Sequence, residues 1–150
     1  MFPKCVERLA DVLAESLRLN KARAQCLAGI VIGAAESRSV LLSDLATRLP
    51  GNATPTSKFR RLQDFFLEVL LDFNAVAVFL MGIVGKLTNH PLTLAMDRTN
   101  WEARGNDVNI LVLSVCLGDV GLPLCWIDRR MAGNSDTSCR VRAVSQFIEV

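Results

Sequence analysis

Apolar residues return every three or four positions up to about His90, as in Val6, Leu9, Leu13 and Leu17, with charged residues between them. That spacing gathers them on one face of a helix and predicts amphipathic helices for this half. Asn20 is a good N-cap, and a second helix is expected from it through Lys21, Arg23 and Cys26 to Gly33, where alanine-rich sequence permits close helix approach. A third, shorter helix follows Ser43. Pro50-Gly51-Asn52 marks a turn, and Thr54-Pro55 then places a capping hydroxyl ahead of a proline at the first helical position. The helix so begun is expected to run from Pro55 to about Phe73, with Phe59, Leu62, Phe66 and Leu70 on its inner face. The oily stretch from Ala75 to Gly85 predicts one more helix, buried, because its 11 residues fall well short of a membrane span.

From Pro91 the period changes. Leu92 to Asp97 alternates with period two, as a half-buried strand does, which puts Asp97 at the strand's C-terminal end. Val108 to Leu117 and Val120 to Asp128 are two further β-rich runs, and Gly118-Asp119 between them suits a tight hairpin. Pro123 cannot donate to a ladder, so the third strand belongs at an edge of the sheet. Gly133-Asn134-Ser135 breaks the pattern, and Asp136 can cap a final helix through Val141, Val144 and Ile148. The expected class is α+β, with a helical region over 1–90 and a sheet region over 91–150.

The chain has 150 residues, 51% apolar and 21% charged, and a mean hydropathy of +0.31, which excludes a disordered tail. A formal charge of +2 gives no overall basic field, so any nucleic-acid surface must come from local clustering. The first 90 residues hold 11 basic and 8 acidic side chains. The N-terminus mixes Lys4, Glu7, Arg8 and Asp11 and does not read as a signal peptide, so a cytoplasmic protein with no membrane partner is expected. Five cysteines without C-x-x-C spacing and a single histidine, His90, argue for reduced packing thiols over a disulfide framework or structural zinc.

Two features carry candidate chemistry. Asp97, with Arg98, Thr99 and Asn100 directly after it, reads either as a Mg²⁺ ligand or as a strand-ending carboxylate paired with Arg98 or Arg104. A lone carboxylate makes a poor site for two-ion phosphoryl chemistry, which needs several acidic oxygens. Lys58, Arg60 and Arg61 crowd the opening of the Pro55 helix among the hydroxyls of Thr54, Thr56 and Ser57. Cations there oppose the helix dipole, and a DNA phosphate would relieve the cost; the competing reading is a solvated basic face. Arg129-Arg130 and Arg140 with Arg142 touch phosphate or coat the surface, and Trp101 and Trp126 stack on bases or edge a core. No glycine-rich phosphate loop and no G-x-S-x-G elbow is present.

Ala95-Met96-Asp97-Arg98-Thr99-Asn100-Trp101, then Val108-Asn109-Ile110-Leu111, Pro123-Leu124-Cys125-Trp126 and Gly133-Asn134-Ser135-Asp136-Thr137 form an ordered set. This set resembles bacterial insertion-sequence transposases of the DDE type, in the insertion-sequence-four-like group. Upstream, Lys58-Phe59-Arg60-Arg61-Leu62-Gln63-Asp64-Phe65-Phe66 is similar to that family's helix preceding the catalytic domain. The resemblance implies DNA transposition by an RNase H-like domain in which three acids bind two Mg²⁺ or Mn²⁺ ions. Asp97 matches the first acid, catalytic and metal-binding, with Arg98, Thr99 and Asn100 beside it at the DNA. The second acid, after a fourth strand, and the third, on a later helix with a Tyr-Arg-Glu-Lys pattern, have no counterpart here.

The expectation is therefore the amino-terminal part of a transposase: a DNA-binding region over 1–90 and an incomplete RNase H-like domain over 91–150 that holds its first three strands and first helix. Alone it would be inactive. Double-stranded DNA at the element's terminal repeats is the expected partner, at the bacterial nucleoid. Self-association, or pairing with the missing carboxy-terminal part, is expected at the open sheet edge. The alternatives are an inhibitor that occupies the ends without cutting, and an inert pseudogene product.

Overall fold

The computed structural model describes residues 2–103, 105–129 and 137–148, in two compact units, Met1–Asp72 and Phe73–Val150.

The first unit is helical. Helix α1 (Phe2–Ser16) buries Val6, Ala10 and Leu13, with Leu17 just beyond its end, and α2 (Lys21–Ser37) buries Ala24 and Ala28. Small side chains on α2 are what let α1 lie close. As expected, Asn20 caps α2, its Oδ1 accepting the Arg23 N–H at 2.9 Å. The helix runs past Gly33 to Ser37 and stops at Arg38, which adopts a left-handed φ of 51°.

Helix α3 (Leu42–Arg48) and helix α4 (Pro55–Glu68) follow, joined by residues 49–54. The close approach foreseen for α2 is made at Gly29, where a Cβ would stand 2.5 Å from Leu49 Cδ2. Thr54 caps α4, its hydroxyl accepting the Ser57 N–H at 3.2 Å, and Pro55 occupies the first turn.

Two expectations for α4 are corrected. The helix ends at Glu68, because Val69 turns to extended backbone and packs against the core of this unit. Its inner face is Phe59, Leu62, Phe65 and then Val69, packed on Cys26, Leu45, Ala46 and Leu49. Phe66 and Leu70 lie outside, 58% and 95% exposed.

The second unit opens with α5 (Phe73–Leu87), followed by β1 (Thr93–Ala103), β2 (Asn106–Leu117), β3 (Val120–Arg129) and α6 (Thr137–Ile148). The strands form an antiparallel sheet in the order β1-β2-β3. Gly118 holds φ 60° at the first position of the β2–β3 turn, where a side chain would be strained. Pro123 does lie on an edge strand. It sits at a bulge, since Leu113 pairs with Cys125 but Ser114 pairs with Pro123, and the extra residue Leu124 is buried.

Met96, Leu111, Leu113, Val115, Cys125 and Ile127 line one face of the sheet and pack on Ala77, Leu80, Met81 and Val84 of α5 and on Cys139, Ala143 and Phe147 of α6. The unit boundary thus falls between Asp72 and Phe73, ahead of the 90/91 division drawn from periodicity, because one side of α5 packs on the sheet. The helix is not buried all round as its composition suggested, since only Ala77 and Val84 are buried while Val78, Ile83 and Leu87 are exposed. On α6 the inward residues are Cys139, Ala143 and Phe147, whereas Val141, Val144 and Ile148 point to solvent. The cap foreseen at Asp136 lies outside the described residues. No single helix among those described is long and apolar enough to cross a membrane.

Burial pushes the thiols of Cys26 and Cys125 up; for Cys26 the nearby Arg61 guanidinium pulls part of that back. Keeping these thiols neutral favours the folded state below the ordinary thiol range, and that contribution is lost as pH rises through the raised one. Cys5 is exposed. Maleimide labelling at neutral pH is therefore expected to modify Cys5 at once, and Cys26 and Cys125 only as their own units open. Equal rates at all three would contradict this packing.

Candidate nucleic-acid interface

Lys58, Arg60 and Arg61 all lie in the first half of α4, and Asp64 and Glu68 in the second, so the helix is cationic toward its start and acidic toward its end. Helices α3 and α4, joined by residues 49–54, pack with α2 around Cys26, Leu45, Ala46, Leu49, Leu62 and Phe65.

The three cations are not equivalent. Lys58 is half-buried beside the core face. Arg61 turns toward α2, where its Nη2 donates to the Ala22 carbonyl at 3.3 Å and its charge stands by the Cys26 thiol. Arg60 is exposed on the side away from Leu62 and Phe65, and no hydrogen bond or ion pair among the described residues holds it.

Asp97 belongs to the other unit. It is not at a strand end, as the apolar alternation suggested, but in the middle of β1, which continues through Arg98, Thr99, Asn100 and Trp101 to Ala103. The apolar run stops at Asp97 because β1 is an edge strand, where charged side chains keep contact with water. Asp97 is exposed, and its Oδ1 accepts the Arg98 backbone N–H at 2.7 Å. Arg104, the other partner considered, lies outside the described residues.

Strand alternation separates the Asp-Arg-Thr-Asn run. Asp97 and Thr99 share the face of Val112, Ser114 and Trp126, none of which belongs to the core clusters. Arg98 is opposite Leu111 and shares the helix-covered face with Met96. The side chains of Asn100 and Trp101 lie outside the described residues, as do Arg130 and the Gly133–Thr137 stretch up to its last residue. Trp126 is half-buried and meets Phe73 edge-on, with ring centroids 4.6 Å apart.

Compared with protein-family models, curated proteins and solved structures, the chain matches none.

A pair of divalent ions does not fit the residues present. Among the described residues no three of His, Cys, Asp and Glu converge. Asp119 is on the hairpin turn, and Asp128 is opposite Ile110, two strands away from β1. One carboxylate, already bonded to a backbone N–H, leaves an ion with mostly water for ligands, whereas two-ion chemistry needs shared acidic oxygens.

The sequence reading names Thr56 among the hydroxyls and Gln63 within the helix motif but does not place them on one face with Arg60; both are exposed. The signal that finds them is their spacing of four and three residues from Arg60, once Leu62 and Phe65 identify the inner side. Asn109 stands within the ordered set with no expectation of burial, yet this polar side chain on β2 is 2% exposed.

Proposed function

We propose that this chain serves DNA transposition as the amino-terminal portion of a DDE transposase: the helical unit holds duplex DNA at the element's ends through α4, and β1 to β3 with α6 open an RNase H-like domain whose first acid is Asp97. It works on the bacterial nucleoid, in the cytoplasm. The observation that carries this reading is the polarity of α4, which offers three cations and no acid in its first half, with Arg60 exposed among them. The element order β1-β2-β3-α6, with an exposed Asp97 on the first strand, supports the catalytic part of the resemblance. The unpaired edge of β1 is where a second copy or a complementary chain adds a strand.

On its own the chain holds DNA without cutting it, because among the described residues no companion acids gather at Asp97. A gel-shift titration with the element's terminal repeats is expected to show binding that weakens steeply with salt, and preference over random duplex. With Mn²⁺ added, nicking by the wild type should equal that of Asp97→Ala. Absence of a preference for the repeats removes the transposon-end reading; nicking that depends on Asp97 removes the claim of an inactive chain. The same single carboxylate favours a second role, occupation of the ends against a complete transposase, and adding the chain to such an enzyme should then slow excision.

A further inference from the structure

We infer that Arg60 is the base-reading residue of α4, with Thr56 and Gln63 beside it, and that its target is a guanine edge in the major groove, while Lys58 adds a phosphate contact. This rests on the duplex-binding reading above and assigns that surface a direction and a specificity.

Each helical residue advances about 100° around the axis, so Thr56, Arg60 and Gln63 fall in one stripe roughly 100° to 160° round from Leu62. Leu62 is fully buried and Phe65 nearly so, which fixes the opposite side as the one that faces outward. All three stripe residues are exposed. Of the other polar groups nearby, the Ser57 hydroxyl lies 2.9 Å from that of Thr54 within the cap, Arg61 donates to the Ala22 carbonyl, and the exposed Asp64, four residues after Arg60, closes the stripe at its acidic end.

Charge along the axis sets the depth. Cations occupy positions 58, 60 and 61 and acids positions 64 and 68, so the first half of α4 can enter a groove between phosphates and the second half must leave it. That places Arg60 over the base edges, with its planar fork matched to the O6 and N7 of guanine. The Gln63 amide is suited to the N6 and N7 of a neighbouring adenine, and Thr56 to a hydroxyl or methyl contact. A lysine, having charge without the fork, cannot replace Arg60 in this role.

The test uses the full chain. A pool of random duplexes is taken through selection, and fluorescence anisotropy then measures binding to the selected duplex and to versions with each base pair exchanged. The wild type should select a guanine that, when exchanged, costs about tenfold in affinity. Arg60→Ala and Arg60→Lys should both erase that preference while changing affinity for exchanged duplexes little. Lys58→Ala should weaken every duplex alike and reduce the salt slope by about 0.9. Retention of the guanine preference by Arg60→Lys, or a uniform loss across sequences for Arg60→Ala, overturns the base-reading role while duplex binding stands. Failure of the wild type to bind any duplex overturns both. Unchanged circular dichroism of the variants, in which only an exposed side chain is altered, separates these outcomes from misfolding.

Discussion

Replacing Leu62 with alanine is expected to destabilise the helical unit by about 3 kcal/mol. Leu62 is fully buried at the meeting of α2, α3 and α4, among Cys26, Leu45, Leu49 and Phe65. Truncation removes its transfer free energy and leaves a cavity that rigid helices close only in part. A unit of this size is stable by roughly 4 to 10 kcal/mol, so the loss is a large share of the total. Urea unfolding followed by the reactivity of Cys26 measures it directly. Leu70→Ala is the matched control: a residue 95% exposed should change stability by less than about 0.5 kcal/mol. Equal losses from the two variants would restore Leu70 to the inner face and overturn the packing described for α4.

Leu113→Asp is expected to unfold the sheet unit outright. Leu113 is 2% exposed on the central strand, flanked by Met96 on β1 and Cys125 on β3 and covered by the helices. Losing the leucine costs about 3 kcal/mol. An unpaired carboxylate in its place adds about as much again or more. Together these approach or exceed what holds a small unit folded. Cys125 should then label as fast as Cys5, and the Trp126 fluorescence should shift as its Phe73 contact is lost. Cys26, in the other unit, should stay protected. The neighbouring Val112→Thr, on the face outside the core clusters, should cost about 1 kcal/mol or less. Similar outcomes at 112 and 113 would mean that both faces of the sheet are buried.

The local punctuation of this fold is written in the sequence. Asn20, Thr54 with Pro55, Gly118 and Pro123 each act through their own backbone neighbours, and each does what its chemistry requires. Decisions that depend on distant partners were harder to read. Phe65 and Phe66 fit a helical stripe equally well, and only the position of α2 and α3 selects Phe65. On α6, Val141, Val144 and Ile148 make the more apolar stripe, yet the sheet takes Ala143 with Cys139 and Phe147, smaller residues that let the helix sit close at its centre. Helix α5 is apolar all round, so its composition does not say which unit it joins.

The candidate site shows the same division. A cationic opening to α4 is visible in the sequence, but the separate surroundings of Lys58, Arg60 and Arg61 follow from the packing of α2 beside them. Likewise Asp97 stands out at once, while its place in the middle of β1 is hidden because charge interrupts the apolar alternation that marks a strand.

Helix α5 precedes the sheet that covers its Ala77–Val84 side, and this order matters during synthesis. After Leu87 leaves the ribosome, about forty more residues must be made before β3 is complete, several seconds at usual translation rates. The sheet itself pairs only chain neighbours, through short turns, and such a meander closes within about milliseconds of being available. The apolar helix therefore waits for translation rather than for folding. Slow codons between positions 88 and 129 would lengthen its exposure to chaperones and to other nascent chains, whereas slow codons between α4 and α5 would not.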